Sequence, residues 1–376
     1  MKKINVLVAF GTRPEAIKMA PIVKALKADE KINIKVLVTA QHREMLDQVL
    51  NTFEITPDFD LNVMSPNQTL SQISARILSQ MDEVFSQFRP EIVLVHGDTL
   101  TAFVVAQSAF YNQIDIGHVE AGLRTNNLKS PWPEEGNRQL ISRLASLHFS
   151  PTKVAKENLI TEGIKLEKIF ITGNTVVDAL LSVANKDNLP SPKLSEELFL
   201  DLKLLKRMVL ITGHRRENFG IGFKNICLAL QKLAELNPAV QFIYPVHLNP
   251  NVKNVVNGYL SDIQNILLIP PQSYLEFVNL MKHSYLILTD SGGIQEEAPS
   301  LGIPVLVMRD TTERPEAVEA ETVKLVGTSQ NGIISNVQAL LDDKNLYNSM
   351  SEASNPYGDG KSSGKIVEII KKTYLS

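Results

Sequence analysis

The amino-acid sequence predicts an α/β protein that consists of two doubly wound domains, each with a parallel sheet. Short apolar runs rich in β-branched residues recur along the chain, and each is followed by a polar or glycine-containing turn and a helical pattern. Continuous apolar strands that alternate with helices are typical of parallel sheets covered on both faces. The length of 376 residues favours two domains, since single domains commonly contain about 100 to 200 residues.

The predicted strands form two sets. The first set lies at 6–10, 36–39, 92–96, 114–119 and 147–150. The second set lies at 208–212, 242–246, 266–269, 286–289, 305–308 and 323–326. Segment 185–207 separates the sets and contains two prolines but no strand pattern. We therefore interpret it as an inter-domain connection that includes a helix.

The clearest helical pattern begins after Thr69, a residue type that commonly caps helix N-termini. Its apolar residues recur every three or four positions and so share one face: Leu70, Ile73, Ile77, Met81, Val84 and Phe88. A second helical stretch is predicted at 365–374, after a segment, 355–364, that is rich in Gly and Ser.

Composition excludes several classes of protein. The formal net charge of −3 gives the chain no general attraction for nucleic acid or anionic membranes. The single cysteine, Cys227, excludes an internal disulfide and a cysteine-based zinc site, and we expect it in the core. No apolar run approaches the length of a membrane-spanning helix, and residues 1–10 lack the pattern of a secretion signal. A cytoplasmic location is therefore expected.

Ligands of doubly wound sheets bind beyond the carboxyl ends of the strands, so the residues there were examined first. The first strand is followed by GTRPE, in which Pro14 suits the first turn of a helix. Arg13 and, one turn later, Lys18 would favour an anion near that helix start. A solvated basic pair is the equally good alternative.

Three carboxylates are predicted at the same end of the first domain. Asp98 lies in HGDT after the third strand, Glu120 lies in HVEAGLRT after the fourth, and Glu134 lies in PWPEEGNR. Taken singly, Asp98 could belong to a helix cap and Glu134 could pair with Arg138. Three such residues at one edge favour acid–base chemistry.

The second domain carries cationic and glycine-rich turns. GHRRENFG follows its first strand and places His214 next to two arginines, Arg215 and Arg216, as in a pyrophosphate contact. DSGGIQEE follows the strand at 286–289, and its glycines would expose backbone N–H groups to a phosphate. Arg314 precedes a predicted helix start, and His247 follows the strand at 242–246. There is no P-loop motif and no G-x-G-x-x-G after the first strand.

These motifs occur in an order that resembles one family. GTRPEAIKMAP, HGDT, HVEAGLRT, PWPEEGNR, GHRRENFG, YPVHLNP and DSGGIQEEAPSLGIPVLVMRDTTERPEAV resemble the non-hydrolysing UDP-N-acetylglucosamine 2-epimerases over nearly the whole chain. The resemblance implies the glycosyltransferase-B fold, with domains at 1–170 and 171–359 facing a cleft and a C-terminal helix, 360–376, crossing back to the first domain. It also implies a homodimer. No NAD site is visible in the sequence, and arginines and helix dipoles can offset the diphosphate without a metal, although the clustered carboxylates leave a magnesium site open.

The resemblance further implies reversible epimerisation of UDP-GlcNAc to UDP-ManNAc, through elimination of UDP to a 2-acetamidoglucal and re-addition. It implies catalytic roles for Asp98, Glu120, Glu134 and His214. It implies substrate contacts, besides Asp98, Glu120 and His214, from Arg13, Lys18, Gln272, Phe277, Ser291, Gly292, Gly293, Glu297 and Arg314. Among these, Glu297 resembles the carboxylate that holds the ribose hydroxyls.

Some family members bind a second UDP-GlcNAc as an activator. The corresponding segments here are 41–43 and 66–68, in which Gln41 and Gln68 are retained. Glu44 and Asn67 differ from the Gln and Arg of the strongly activated members, which leaves activation by substrate open.

Three alternatives remain at this point. A hydrolysing 2-epimerase would release ManNAc and UDP, a glycosyltransferase of the same fold would need an acceptor pocket, and a UDP-sugar sensor would bind without turnover. The three carboxylates favour the epimerase, with Glu120 as the first choice for the base and Asp98 as the second. UDP-ManNAc serves polysaccharide biosynthesis, including capsule, surface antigen and teichoic-acid linkage, and the sequence does not choose among them.

Overall fold

The computed structural model describes residues 3–40, 43–65, 67–194 and 207–375. The chain divides into two compact units. Unit 1 comprises Met1–Ala179 and Tyr357–Ser376, and unit 2 comprises Leu180–Pro356. The sequence analysis put this division at 170/171 and the returning segment at 360–376. The helix expected in segment 185–207 lies largely outside the described residues.

Unit 1 contains a parallel sheet with the order β3-β2-β1-β4-β5-β6-β7. Its strands are β1 (Ile4–Phe10), β2 (Ile32–Val38), β3 (Phe59–Asp60), β4 (Ile92–His96), β5 (Asp115–Val119), β6 (Leu147–Ser150) and β7 (Ile169–Ile171). Every predicted strand of this set is present. The short edge strands β3 and β7 were not predicted. The strand β2 begins at Ile32, earlier than predicted, and its first half was missed because it is only partly buried.

The helices of unit 1 cover both faces of this sheet. They are α1 (Arg13–Lys27), α2 (Arg43–Phe53), α3 (Leu70–Gln87), α4 (Leu100–Tyr111), α5 (Glu134–Leu144), α6 (Lys153–Thr161) and α7 (Thr175–Ala184), whose last turns belong to unit 2. The final helix, numbered α15 (Ser362–Tyr374), returns to unit 1. There Lys371 pairs with Asp29 at 2.9 Å, and the Tyr374 hydroxyl donates to Asp115 at 2.7 Å.

The predicted α3 is confirmed in detail. The Thr69 side chain accepts a hydrogen bond from the Gln72 amide at 3.2 Å, and the Gln72 side chain accepts one from the Thr69 amide at 2.9 Å. This reciprocal capping fixes the start of the helix. Its buried face comprises Ile73, Ile77, Met81, Val84 and Phe85. This face packs in one core with β1, β4 and α4.

Unit 2 contains a second parallel sheet with the order β10-β9-β8-β11-β12-β13. Its strands are β8 (Met208–Thr212), β9 (Gln241–Pro245), β10 (Ile266–Ile269), β11 (Leu286–Thr289), β12 (Val305–Val307) and β13 (Val323–Leu325). Its helices after β8 are α8 (Ile221–Leu236), α9 (Pro250–Leu260), α10 (Tyr274–Lys282), α11 (Gly292–Glu297), α12 (Pro315–Glu319), α13 (Gln330–Asp342) and α14 (Lys344–Ser351). All six predicted strands are therefore present.

The strand order of each sheet explains where ligands can bind. In both sheets the chain moves outward from the first strand to one side and then returns to continue on the other side. Because all strands are parallel, their carboxyl ends share one edge, and loops diverge where the order reverses.

Cys227 lies in the core of unit 2, where burial raises the pKa of its thiol to about 12. No helix within the described ranges is long and apolar enough to cross a membrane.

Candidate active site

The loop after β1 is organised around Glu15, which the sequence analysis did not select. Glu15 is buried and accepts hydrogen bonds from the Gly11 amide at 3.0 Å and the Thr12 amide at 2.8 Å. Its other oxygen accepts from the Thr99 hydroxyl at 2.6 Å, which ties this loop to the one after β4. Burial raises the pKa of Glu15, although these hydrogen bonds oppose the shift. Arg13, half-buried beside it, forms no ion pair with any residue that the structure describes.

Asp98 lies directly after β4 and is held from α5. Arg138 donates to its carboxylate, and the Asn137 amide donates to its backbone carbonyl at 2.8 Å. Thr99, not Asp98, caps α4 by accepting from the Ala102 amide at 3.0 Å. The Asp98 carboxylate is therefore available for a role other than capping, and its side chain remains 27% exposed.

Glu120 follows β5 in an unusual backbone conformation. Its φ angle of 61° lies in the left-handed region, which non-glycine residues seldom adopt. Lys18 of α1 donates to its carboxylate, and the Asn174 side chain donates to the same oxygen at 2.7 Å. The His96 ring lies 3.7 Å from that oxygen. The structure thus brings two predicted site residues, Lys18 and Glu120, together with Asn174, which sequence reasoning missed.

The two acids at the start of α5 have different surroundings. Glu135 is fully buried, and it accepts from the Thr125 amide at 3.0 Å and the Asn126 amide at 3.1 Å. Burial alone would raise the pKa of Glu135, but the hydrogen bonds and nearby Arg138 leave it lowered. Glu134 is half-buried and joins no ion pair with the described residues, because Arg138 turns to Asp98 and Glu135. The Glu134–Arg138 pair, which was the alternative to a catalytic role for Glu134, is therefore not formed among the described residues.

Two buried histidines lie behind this edge of the sheet. The His118 ring contacts the Gly97 carbonyl at 2.7 Å, and burial lowers its pKa to about 3. The His148 ring contacts the Ser142 carbonyl at 2.9 Å, and burial lowers its pKa as well. Both rings are packed in the fold and neutral near pH 7, so their role is structural.

In unit 2, Asp290 organises the loop after β8. Asp290 is completely buried and accepts from the backbone amides of His214 at 2.9 Å and Arg215 at 2.8 Å. Its second oxygen lies 3.4 Å from the His214 ring, which stacks on His247 at a centroid distance of 5.5 Å. Burial lowers the pKa of His214, and the attraction of Asp290 does not fully offset this effect. His214 is therefore a neutral, oriented ring at the end of β8.

The glycine turn after β11 lies beside two guanidinium groups. Arg314 donates to the buried carboxylate of Glu296. A Cβ atom placed on Gly292 would lie 3.6 Å from Arg215 Nη2 and 4.0 Å from Arg314 Nη2. The turn therefore combines a bare backbone with two cations, an arrangement suited to a phosphate group. Arg215 was seen in the sequence only as a neighbour of His214.

The remaining predicted nucleotide contacts either flank Gly292 in this turn or lie elsewhere in unit 2. Ser291 begins α11, and its amide donates to the Thr289 hydroxyl at 2.9 Å, whereas Gly293 lies one position beyond Gly292. Gln272 follows β10, where its side chain accepts from the Lys193 amide at 2.8 Å. Phe277 in α10 and Glu297 at the end of α11 are half-buried. Gln272 lies three strands from Ser291 in the sheet order.

The segments considered for a second ligand are only partly described. Gln41, His42 and Pro66 lie outside the described residues. Asn67 and Gln68 line a surface hollow of about 400 Å³. In the described part of the chain, no group of three or more His, Cys, Asp or Glu side chains could hold a metal ion.

Comparison with known proteins identifies the family. The family model for UDP-N-acetylglucosamine 2-epimerase matches residues 24–371. The chain belongs to this family. The UDP-N-acetylglucosamine 2-epimerase of Escherichia coli K12 is 56% identical over 376 residues, which cover 99% of this chain and 100% of that protein.

Solved structures agree with this assignment. The UDP-GlcNAc 2-epimerase from Neisseria meningitidis, solved with UDP-GlcNAc bound, has 51% identity and a TM-score of 0.86, covering 98% of this chain and 100% of its own. The glycotransferase of kitacinnamycin shares only the fold, with 9% identity and a TM-score of 0.68 over 99% of both chains. The predicted fold class, two Rossmann-like α/β domains of the glycosyltransferase-B type, is confirmed.

Proposed function

We propose that this member of the family interconverts UDP-GlcNAc and UDP-ManNAc without hydrolysis. The proposal assigns the chemistry at C2 of the sugar to unit 1 and the binding of UDP to unit 2. The observation that carries it is the arrangement of Glu120, a carboxylate at the end of β5 held by Lys18 and Asn174. The chain is 56% identical to a UDP-N-acetylglucosamine 2-epimerase over 99% of its length. This identity supports a nucleotide sugar as the substrate on which Glu120 acts.

The reaction needs both a base and a stabilised leaving group. No carbonyl lies next to C2 of UDP-GlcNAc, so the C2 proton is not acidic in the ground state. Breaking the C1–O bond to UDP gives C1 cationic character, which acidifies the C2–H bond. A carboxylate near C1 and C2 can stabilise that character and accept the proton. In the proposal Glu120 takes the C2 proton, the C–H electrons form the C1=C2 double bond, and UDP leaves with the C1–O pair.

The return step inverts C2. The UDP oxygen adds to C1 of the 2-acetamidoglucal, and a proton is delivered to the opposite face of C2. This delivery requires a second acid, for which Asp98 and Glu134 are the candidates. Asp98 is bonded to Arg138, whereas Glu134 has no ion-pair partner within the described residues.

Unit 2 supplies the groups that would hold the leaving UDP. Arg314 and the neutral His214 can donate to the diphosphate, and the bare backbone at Gly292 and Gly293 lets it approach closely. Ser291 adds a hydroxyl to the same turn. The proposal keeps Arg13 and Lys18 as further contacts to the diphosphate and sugar.

The nucleoside is assigned to residues that follow β10 and to the last residue of α11. Gln272 and Phe277 are proposed to contact the uracil, and Glu297 is proposed to bond the ribose hydroxyls. Gln272 offers an amide that matches the uracil edge, although that amide now bonds the backbone at Lys193 and Pro270. Binding of uracil through Gln272 would therefore exchange one hydrogen-bond partner for another.

Proton NMR of the purified protein with UDP-GlcNAc in heavy water tests the proposed reaction. We expect UDP-ManNAc to appear together with deuterium at C2 of both nucleotide sugars, because reversible loss of the C2 proton exchanges it with solvent. Free ManNAc with UDP would place the protein among hydrolysing epimerases. Binding of UDP-GlcNAc without exchange would contradict the epimerase proposal and favour a sensor or a transferase.

We also propose that the chain forms a homodimer, as the family resemblance implies. Phe110 and Tyr111 at the end of α4 and Leu140 of α5 are more than half exposed, which is compatible with such an interface. Light scattering of the purified protein measures its mass directly against the 41.8 kDa of one chain.

A further inference from the structure

Asn174 is a buried polar residue that joins three parts of unit 1. It follows β7 and is only 2% exposed. Its side-chain amide nitrogen donates to the Glu120 carboxylate at 2.7 Å. Its backbone amide donates to the Tyr357 carbonyl, in the returning C-terminal segment, at 2.6 Å. One residue thus connects the proposed base to a segment far away in the sequence.

The orientation of the Asn174 side chain is fixed by its neighbours. Its Oδ1 atom accepts from the Val176 backbone amide at 3.1 Å, and a backbone N–H can only donate. Nδ2 must therefore point to Glu120, whose carboxylate can accept. Asparagine satisfies both partners at once. Aspartate would place a second acceptor against the carboxylate of Glu120, and alanine would remove both bonds.

The position of Asn174 depends on the returning segment. Gly173 adopts a φ angle of +89°, and a Cβ atom there would lie 2.6 Å from Ser362 Oγ and 3.1 Å from the Tyr357 carbonyl oxygen. This glycine therefore permits the close approach that lets Tyr357 accept from Asn174. Tyr357 itself is a fully buried large side chain, which anchors the segment.

The same segment is fixed a second time by Asp178 of α7. The Asp178 carboxylate accepts from the backbone amides of Ser362 at 3.2 Å and Ser363 at 2.8 Å, and from the Ser363 hydroxyl at 2.6 Å. These bonds satisfy the free N–H groups at the start of α15. The stretch 357–363 is therefore docked at both ends onto 173–178.

We propose that Asn174 is a positioning residue for the base, and that the C-terminal stretch 357–363 holds it in place. Its hydrogen bond fixes the direction of the Glu120 carboxylate and, with Lys18, favours the ionised form that can accept the C2 proton. Among the contacts that the described residues make with this carboxylate, the charged or titratable groups include Lys18 from α1 and His96 at the end of β4. The inference rests on the proposed function, since it needs Glu120 to act as the base.

The test compares Asn174→Asp and Asn174→Ala with the control Asn158→Ala. Asn158 also supports this loop, since it donates to the Gly122 carbonyl at 2.9 Å, but it does not contact Glu120. For each variant we measure kcat, KM and the pH dependence of deuterium exchange at C2, with UDP affinity and Tm as checks on folding.

We expect Asn174→Ala to lower kcat roughly 10- to 100-fold with little change in KM, because a bond to a charged group is lost. Asn174→Asp should lower kcat about 100-fold near pH 7 and move the acidic limb of the pH profile upward by about one unit or more, because a second negative charge disfavours ionised Glu120. Asn158→Ala should leave that limb unchanged. The alanine variant removes the hydrogen bond to Glu120, whereas the aspartate variant places a negative charge beside it. The inference can therefore still be tested with one variant if the other fails to fold.

An unchanged pH limb in every folded Asn174 variant would overturn the inference, even if kcat fell, since a purely structural role predicts no shift. Wild-type kcat in those variants would overturn it as well. Failure of the proposed function gives a different result, because the unmodified protein would then produce neither UDP-ManNAc nor exchange at C2.

Discussion

Units 1 and 2 have the same winding of a parallel sheet but use its carboxyl edge with opposite charge. In unit 1 the groups assigned to the chemistry are carboxylates, and cations support them. In unit 2 the charged and titratable side chains assigned to the diphosphate are an arginine and a histidine, and buried carboxylates support them. In the ion pairs of Asp98, His214 and Arg314, the more exposed partner shows the difference.

In three ion pairs, the side chain assigned to the substrate or the chemistry is more exposed to solvent than its partner. In the Asp98–Arg138 pair the carboxylate is 27% exposed and the guanidinium 13%. In the Arg314–Glu296 pair the guanidinium is 17% exposed and the carboxylate 1%. His214 is 43% exposed, whereas its partner Asp290 is completely buried. A buried counter-charge orients a side chain without competing for the ligand.

This difference matches what each half of a nucleotide sugar requires. A proton transfer at carbon needs a carboxylate of fixed direction, and a leaving diphosphate needs cations and N–H donors. The Glu120–Lys18 pair departs from the exposure pattern, because both partners are largely buried. For Glu120, the hydrogen bond from Asn174 and the left-handed backbone conformation supply the orientation.

The largest expected effect comes from removing the carboxylate of Glu120 in unit 1. Glu120→Gln should reduce turnover by two or more orders of magnitude, because an amide cannot accept the C2 proton. Binding of UDP should survive, since the proposal assigns most of the UDP contacts to unit 2. NMR exchange at C2 measures the first quantity, and titration calorimetry with UDP measures the second.

Glu157→Gln provides a matched control, because Glu157 is an exposed acid of unit 1 on α6. It should behave as the unmodified protein does in both measurements. If Glu120→Gln kept near-normal turnover, the base role would pass to another residue, and Asp98→Asn would be the next variant.

A smaller effect is expected from removing the positive charge of Arg314 in unit 2. Arg314→Gln should weaken UDP binding roughly 10- to 100-fold, because a charge-assisted contact to the diphosphate is lost. Glutamine can still donate to Glu296, so the buried carboxylate is not left without a donor. Calorimetry with UDP, whose binding does not involve the sugar, isolates this contribution.

Arg207→Gln is the control for this variant, since Arg207 lies in unit 2 and donates to the Leu341 carbonyl instead. The comparison between the units would fail if Arg314→Gln bound UDP normally while Glu120→Gln did not. That pattern would place the diphosphate contacts in unit 1.

The fold could be predicted well because its signal is local. Strands such as β4 (92–96) and β8 (208–212) are continuous apolar runs, and burial on both faces demands that composition. The strand β3 was missed because it contains only two residues, from which no periodicity can be read. The strand β7 has three residues, of which only Ile169 is buried, whereas the equally short β12 is buried throughout and was predicted.

The missed site residues depend on contacts between distant segments. Asn174 reaches Glu120 across 54 positions, and Asp290 reaches the His214 amide across 76. Asn174 lies three residues after the end of β7, so recognition of that strand would have placed it at the carboxyl edge with the other candidates. Glu15 had a usable signal too, because Thr12 and Glu15 have the spacing of a capping box.

The smallest expected effect separates the two units by their response to acid. Burial lowers the pKa of His118 in unit 1 from 6.5 to about 3. The unfolded chain therefore binds this proton more tightly, so the stabilisation is complete above pH 6.5 and is lost as the pH falls from 6.5 toward 3. Between pH 7 and pH 5 this one group should cost about 2 kcal/mol of unfolding free energy.

In unit 2, Glu313 responds in a lower window. Burial alone would raise its pKa, but Arg309 lowers it to about 2. Its stabilisation is therefore present above pH 4.5 and is lost as the pH falls from 4.5 toward 2. His214 of unit 2 also has a lowered pKa, but unit 1 contains two such histidines, His118 and His148. Acid should consequently weaken unit 1 more than unit 2, which amide hydrogen exchange resolved by unit can measure.

The variant His118→Gln isolates the contribution of the histidine, because glutamine can still donate to the Gly97 carbonyl but does not titrate. This difference measurement is needed because Glu15, whose pKa is raised by burial, acts with the opposite sign. Urea unfolding at pH 7 and pH 5 should show a smaller loss of stability for the variant than for the unmodified protein. Equal losses would mean that His118 is protonated in the folded chain, and the two units would then not differ in this way.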